Sequence, residues 1–177
     1  MIHITDSDPH RLFLEAGDVY ATREEVFLST LLGSCVSVCL YDPKTGVFGM
    51  NHFVLPRVPA GTEDDHSGRY GTNAMDILIH RMVELGAQPR HLIAKAFGGA
   101  NLFSEEATGP RPPVVGEENA RFIHAYLAKK EILLNASDLG GTKGRNILFS
   151  GRDFSVQVRR CSASQTLAVA HQARRYE

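Results

Sequence analysis

Cys35, behind a Gly33-Ser34 step, and His52 are the residues of this chain best suited to nucleophilic chemistry. A thiol near an imidazole can pass its proton to the ring. The thiolate then attacks a carbonyl carbon, and the imidazolium protonates the leaving group. Peptide N–H groups of the Gly33-Ser34-Cys35 turn could face the developing oxyanion, because glycine permits a sharp backbone path. By residue type alone, packing is the commoner use of such residues: a cysteine as a small buried hydrophobe, a histidine as a satisfied core group.

Geometry decides between these readings. Val36, Val38 and Leu40 alternate with Ser37, Cys39 and Tyr41, the period of a strand. Asp42-Pro43-Lys44-Thr45-Gly46 is a turn signal, and Val47 to Leu55 is a returning strand. With Pro43 to Gly46 as a four-residue loop, Asp42 pairs with Val47. Ser37 then faces His52, and Cys35 faces Val54. Cys35 and His52 become same-face diagonal neighbours, about 7–8 Å apart at the backbone. A loop one residue longer would place them on opposite faces unless a bulge intervened.

The rest of the chain must hold this hairpin. Val26-Phe27-Leu28 is a short apolar run leading into Ser29 and Thr30. A helix is predicted over Thr72–Leu85, with Met75, Leu78, Ile79, Met82 and Leu85 on one face and Gly86 as its stop. A second helix is predicted from Glu117 to about Lys130, with Ala120, Ile123, Tyr126 and Leu127 inward. Strands are predicted over His91–Phe97 and Ile132–Leu134, and a hairpin over Ile147–Phe149 and Phe154–Val158. Residues 57–71 and 104–116 are predicted as long loops, where substrate choice would be set. The tail 162–177 is predicted to be weakly helical or frayed. This mixture implies one mixed α/β domain over residues 1–177 rather than a regular βαβ winding.

Composition narrows the function classes. At 177 residues, with 43% hydrophobic and 22% charged residues, the chain is ordinary for a soluble globular domain. A formal net charge of -1 gives no basic footprint for nucleic acid and no polybasic membrane anchor. No apolar run is long enough to insert in a membrane, and the first residues lack the pattern of a signal peptide. The three cysteines, an odd number, imply free thiols in a reducing cytoplasm. Cys39, four residues along the strand from Cys35, is assigned to packing, and Cys161 has no partner motif. The histidines and cysteines lack metal-ligand spacing. The Gly98-Gly99 and Gly140-Gly141-Thr142-Lys143-Gly144 segments match no phosphate-binding pattern, so neither metal nor cofactor is expected.

Several segments in order resemble one family. Ser29-Thr30-Leu31-Leu32-Gly33-Ser34-Cys35-Val36, Cys39-Leu40-Tyr41-Asp42-Pro43 and Asn51-His52-Phe53-Val54-Leu55-Pro56 are similar to the signature of the CheD proteins. Gly68-Arg69-Tyr70, Lys95 to Phe103, Gly116-Glu117-Glu118-Asn119-Ala120 and Asp138 to Arg145 extend the resemblance over roughly residues 14–160. The resemblance implies a fold similar to the catalytic domain of cytotoxic necrotizing factor toxins, a β-sandwich core flanked by helices. It implies a cytoplasmic protein-glutamine glutaminase that converts glutamines of methyl-accepting chemoreceptors to glutamates through a thioester. Cys35 would be the nucleophile and His52 the acid–base group. The family places a threonine hydroxyl six residues before the cysteine. That position is Ser29 here, so Ser29 is the preferred partner for the imidazole, with Thr30 taking the role if the strand shifts by one. The rival reading is a non-catalytic adaptor that binds receptors and the CheC phosphatase. A related thiol enzyme, such as a transglutaminase or small-molecule amidase, is a third.

Overall fold

A computed structural model describes residues 3–5, 8–63, 66–102 and 114–161. Among these residues, ten strands and two α-helices follow in the order β1 His3–Thr5, β2 Asp8–Phe13, β3 Val19–Thr22, β4 Phe27–Leu32, β5 Val36–Tyr41, β6 Phe48–Asn51, α1 Gly71–Glu84, β7 Ile93–Gly98, α2 Val115–Lys129, β8 Leu133–Leu139, β9 Gly144–Ser150 and β10 Val156–Cys161. A single 3-10 turn at Pro89–His91 precedes β7. No helix among the described residues is long and apolar enough to cross a membrane.

The strands form two five-stranded sheets, β1-β2-β4-β9-β10 and β3-β6-β5-β7-β8. The fold is therefore mixed α+β, with two sheets and two helices. The second sheet is the middle layer, and β5 is its central strand, buried along its whole length. Both faces of β5 are apolar for that reason. Val36, Val38 and Leu40 face the helices, in one core with Met75, Leu78, Met82, Phe122 and Ile123. Cys39 and Tyr41 face the first sheet, in a second core with Leu28, Leu32, Phe48, Ile147 and Phe149. Burial also pushes the Cys39 thiol pKa far above its ordinary value. The helices lie over the middle sheet because their apolar stripes, not their propensities, need cover.

The β5–β6 hairpin has the predicted register. Asp42 N–H donates to the Val47 carbonyl at 2.8 Å, and Gly46, at φ +74°, closes the four-residue loop. Cys39 pairs with Met50, Leu40 with Gly49 and Tyr41 with Phe48. The same register carries past a break to Val36 and Phe53, which exchange both backbone hydrogen bonds at 3.1 and 2.9 Å. At the break, the Asn51 side chain replaces a backbone rung and accepts from Val38 N–H at 2.9 Å. Asp42, fully buried, holds the loop by accepting from the N–H groups of Lys44 and Gln88 at 2.9 and 3.0 Å.

Both helices stand where the sequence places them, within a residue or two. Three strands before Val26 were not anticipated, and β8 is longer than the predicted Ile132–Leu134. Most of the loop predicted over 104–116, positions 64 and 65 of the loop over 57–71, and the tail 162–177 lie outside the described residues.

Where β7 ends, the chain passes unusually close to the β4–β5 turn. Gly98 has φ +113°, and a Cβ there would lie 2.1 Å from the Cys35 carbonyl oxygen. Gly46 has a comparable φ but open space around it. Gly98→Ala is expected to cost about 2–4 kcal/mol, combining strain with collision, and Gly46→Ala only about 1 kcal/mol. Urea unfolding of the two variants measures the difference, and equal losses would mean that the close approach at Gly98 does not exist.

Candidate active site

Cys35 sits on the turn that carries the chain from β4 in one sheet to β5 in the other. It is half-buried and packs against the core between the sheets. His52 follows β6 and is 6% exposed. Its backbone is clamped on both sides: its N–H donates to the Asp18 carbonyl at 3.0 Å, and its carbonyl accepts from Gly17 N–H at 2.7 Å. The Val36–Phe53 pair lies between Cys35 and His52, which makes them diagonal neighbours across the hairpin.

The imidazole is held by Thr30. Thr30 Oγ1 lies 2.8 Å from His52 Nδ1 and donates its own proton to the Leu14 carbonyl at 2.7 Å. A hydroxyl has one proton, so toward the ring Oγ1 acts as an acceptor. Nδ1 therefore carries the ring proton, and Nε2 is left with its lone pair. Nε2 is buried and has no hydrogen-bond partner among the described residues, the Cys35 thiol included.

Ser29, the residue preferred from the spacing, does not meet the ring. Its hydroxyl donates to the Leu12 carbonyl at 3.3 Å and accepts from Arg11 Nε at 3.0 Å. Adjacent strand residues point to opposite faces. Thr30 shares its face with Leu28 and Leu32, which look toward the other sheet and His52, whereas Ser29 looks away. Counting back from the cysteine does not tell which of the two faces the histidine.

Burial sets the resting charges. It pushes the Cys35 thiol up to about 11, against the smaller lowering effects of its own backbone N–H and the Arg69 guanidinium. It pushes His52 down to about 4, against the raising effects of the Leu14 carbonyl and Asp18. Desolvation disfavours the charged form of each. At neutral pH the pair is thus a thiol and, at the diagonal position, a neutral imidazole with its Nε2 lone pair free, the state from which a proton can be drawn off sulfur.

The turn itself is fixed by its carbonyls. Gly33 O accepts from Ala100 N–H at 2.8 Å, and Cys35 O accepts from Gly99 N–H at 2.8 Å. Ser34 O accepts from Asn119 Nδ2 at 3.0 Å. The glycine segment is in turn tied down by Arg145, which is 2% exposed and donates to the carbonyls of Gly98, Asp138 and Gly140. The Gly98-Gly99 and Gly140-Gly141 turns meet here through Gly140 N–H to Gly98 O at 2.9 Å. Neither Asn119 nor Arg145 stood out in the sequence as anything but part of a motif.

A two-sheet α+β domain with a half-buried thiol and a buried hydroxyl–imidazole pair at the seam between its sheets defines a class of candidate thiol hydrolases. Comparison with known proteins makes the class particular. The family described as CheD chemotactic sensory transduction matches residues 54–160. The chain belongs to the CheD family. It is 40% identical over 171 residues to a probable chemoreceptor glutamine deamidase CheD 1 of Geobacter sulfurreducens, covering 93% of this chain and 84% of that one. It is 43% identical to a probable chemoreceptor glutamine deamidase CheD 2 of Shewanella oneidensis, over 79% of this chain and 71% of that one. A Bordetella avium relative with the same description is 37% identical over 96% of this chain and 76% of its own length. The family match begins at Val54, beyond Cys35 and His52, so the reading of the site rests on its geometry.

The His52 burial has a measurable consequence for stability. Between pH 6.5 and about 4 the unfolded chain binds a proton that the folded chain refuses. Stability from keeping His52 neutral is complete above pH 6.5 and falls as pH drops toward 4. At pH 5 the loss is expected to be roughly 2 kcal/mol. Urea unfolding at pH 7.5 and pH 5 should show that loss in the wild type and not in His52→Gln; equal losses in both would place the titration elsewhere.

Proposed function

We propose that this protein is a cytoplasmic glutamine deamidase that hydrolyses side-chain carboxamides of methyl-accepting chemoreceptors. The observation that carries the reading is the Thr30–His52 hydrogen bond, because it leaves Nε2 as an acceptor one diagonal step from the only half-buried cysteine among the described residues. The descriptions of the relatives supply the substrate class.

His52 Nε2 takes the Cys35 proton as the sulfur attacks the amide carbon of a glutamine. The carbonyl oxygen becomes an oxyanion beside the peptide N–H groups of the Gly33-Ser34-Cys35 turn. The C–N bond then breaks, His52 gives its proton to the nitrogen, and ammonia leaves a thioester. A water molecule, deprotonated by His52, attacks the thioester. The C–S bond breaks, the thiol recovers its proton, and the side chain is released as glutamate. Thr30 touches no substrate in this scheme. It is a positioning residue that keeps the proton on Nδ1 and the base on Nε2.

Two experiments test this. Peptide mass spectrometry on a chemoreceptor cytoplasmic fragment should show glutamine-to-glutamate conversion, matched by ammonia release, with wild-type protein and none with Cys35→Ala. Conversion by Cys35→Ala at the wild-type rate would exclude the thiol. Thr30→Val is expected to lower kcat about 10–100-fold, the usual effect of losing a group that orients a working imidazole. Ser29→Ala should leave kcat within about threefold. The reverse ranking would return the role to Ser29.

A further inference from the structure

We propose that Asn119 is a positioning residue for the thiol–imidazole pair, its side-chain amide serving as the last rung between the hairpin end beside Cys35 and the hairpin end beside His52. The inference rests on the thiol-hydrolase reading given above.

The β5–β6 ladder ends at Val36 and Phe53. The next positions in that register are Cys35 and Val54. Here a side chain takes over from the backbone. Asn119 Nδ2 donates one proton to the Ser34 carbonyl at 3.0 Å and the other to the Val54 carbonyl at 2.8 Å. One –NH2 group thus joins the peptide before Cys35 to a carbonyl two residues after His52. Asn119 is fully buried and both bonds are partly buried, so breaking them would leave two carbonyls poorly satisfied.

The bond to Ser34 also sets the direction of a particular N–H. In a planar trans peptide the C=O of one residue and the N–H of the next point in opposite directions. With the Ser34 carbonyl turned toward α2, the Cys35 N–H of the same peptide turns away from it. That N–H is a small lowering influence on a thiol whose pKa burial raises. Asn119 therefore fixes the orientation of the peptide before Cys35 as well as tying the two hairpin ends together.

The placement of Asn119 is built into the first turn of α2. A Cβ at Gly116 would lie 2.5 Å from the Gly99 carbonyl oxygen and 2.7 Å from that of Ala100. Only glycine lets the helix come this close to the segment that holds the Gly33 and Cys35 carbonyls. Three residues on, Asn119 occupies the same helix face. The polar residue at this buried position costs stability unless its donors are used; both are used on the hairpin ends, while Oδ1 has no partner among the described residues.

Iodoacetamide alkylation of Cys35, followed at pH 7.5 by peptide mass spectrometry, separates positioning from general stability. In otherwise wild-type protein, His52→Gln should slow alkylation about tenfold, since the base is lost. In Asn119→Ala the same His52→Gln change should matter by less than about twofold, because the pair is already out of register. Asn119→Asp, similar in size but with an acceptor in place of the donor, serves if the alanine variant does not fold. A His52 effect of the same size in both backgrounds would overturn the positioning role. No His52 effect in the wild-type background would instead sink the thiol–imidazole reading itself. In the wild-type chain, both Asn119 Nδ2 protons should exchange with solvent far more slowly than in a free asparagine side chain, and exchange at the free rate would also overturn the proposal.

Discussion

The paired hydrogen bonds between Val36 and Phe53 are the contact on which the site depends. They fix which residues of the hairpin are opposite one another, and the side-chain period of a strand turns that choice into a choice of face. With this register Cys35 packs toward the inter-sheet core and His52 reaches Thr30 across the same seam. A slip by one residue would send one of them toward the helices. The four-residue loop and the buried Asp42 carboxylate that grips it are thus remote from the chemistry and decisive for it.

Placing the pair between two sheets has an electrostatic cost that the structure meets by keeping both groups neutral. A buried imidazolium or thiolate would lose solvation, so His52 rests below and Cys35 above its ordinary pKa. Charge appears only while a reaction proceeds. In the proposed reaction the donors that would then receive it are backbone N–H groups of a turn already fixed in place. Arg145 shows the converse arrangement: a buried cation whose two terminal nitrogens meet three backbone carbonyls and the Asp138 carboxylate at 3.4 Å, while Nε has no partner among the described residues. It ties down the glycine turns behind Cys35.

The glycines of this region act through space rather than flexibility. At Gly98 and Gly116 a methyl group would collide with carbonyl oxygens of neighbouring segments. Their absence of side chains lets β7, α2 and the β4–β5 turn converge within hydrogen-bonding distance. Three consecutive carbonyls of the turn are held from that side.

The hairpin, its loop length and the same-face relation of Cys35 and His52 were legible in the sequence, because turn chemistry and period-two alternation are local. Both helices were legible for the same reason, through their apolar stripes. What stayed hidden was non-local. β2 pairs in parallel with β4, and β3 pairs with β6; neither partnership has a local signature in residues 1–22. β8 is a largely exposed edge strand with polar residues such as Asn135 and Asp138, so it lacks the apolar run that marks a strand. The choice between Ser29 and Thr30 turned on which face of β4 meets the second sheet, and Asn119 stood out in the sequence only as part of the motif at the start of α2. Both were decided by how sheets and helix stack. Side chains separated widely in sequence acquire a role only when packing brings a partner within hydrogen-bonding distance, and no local pattern encodes that distance.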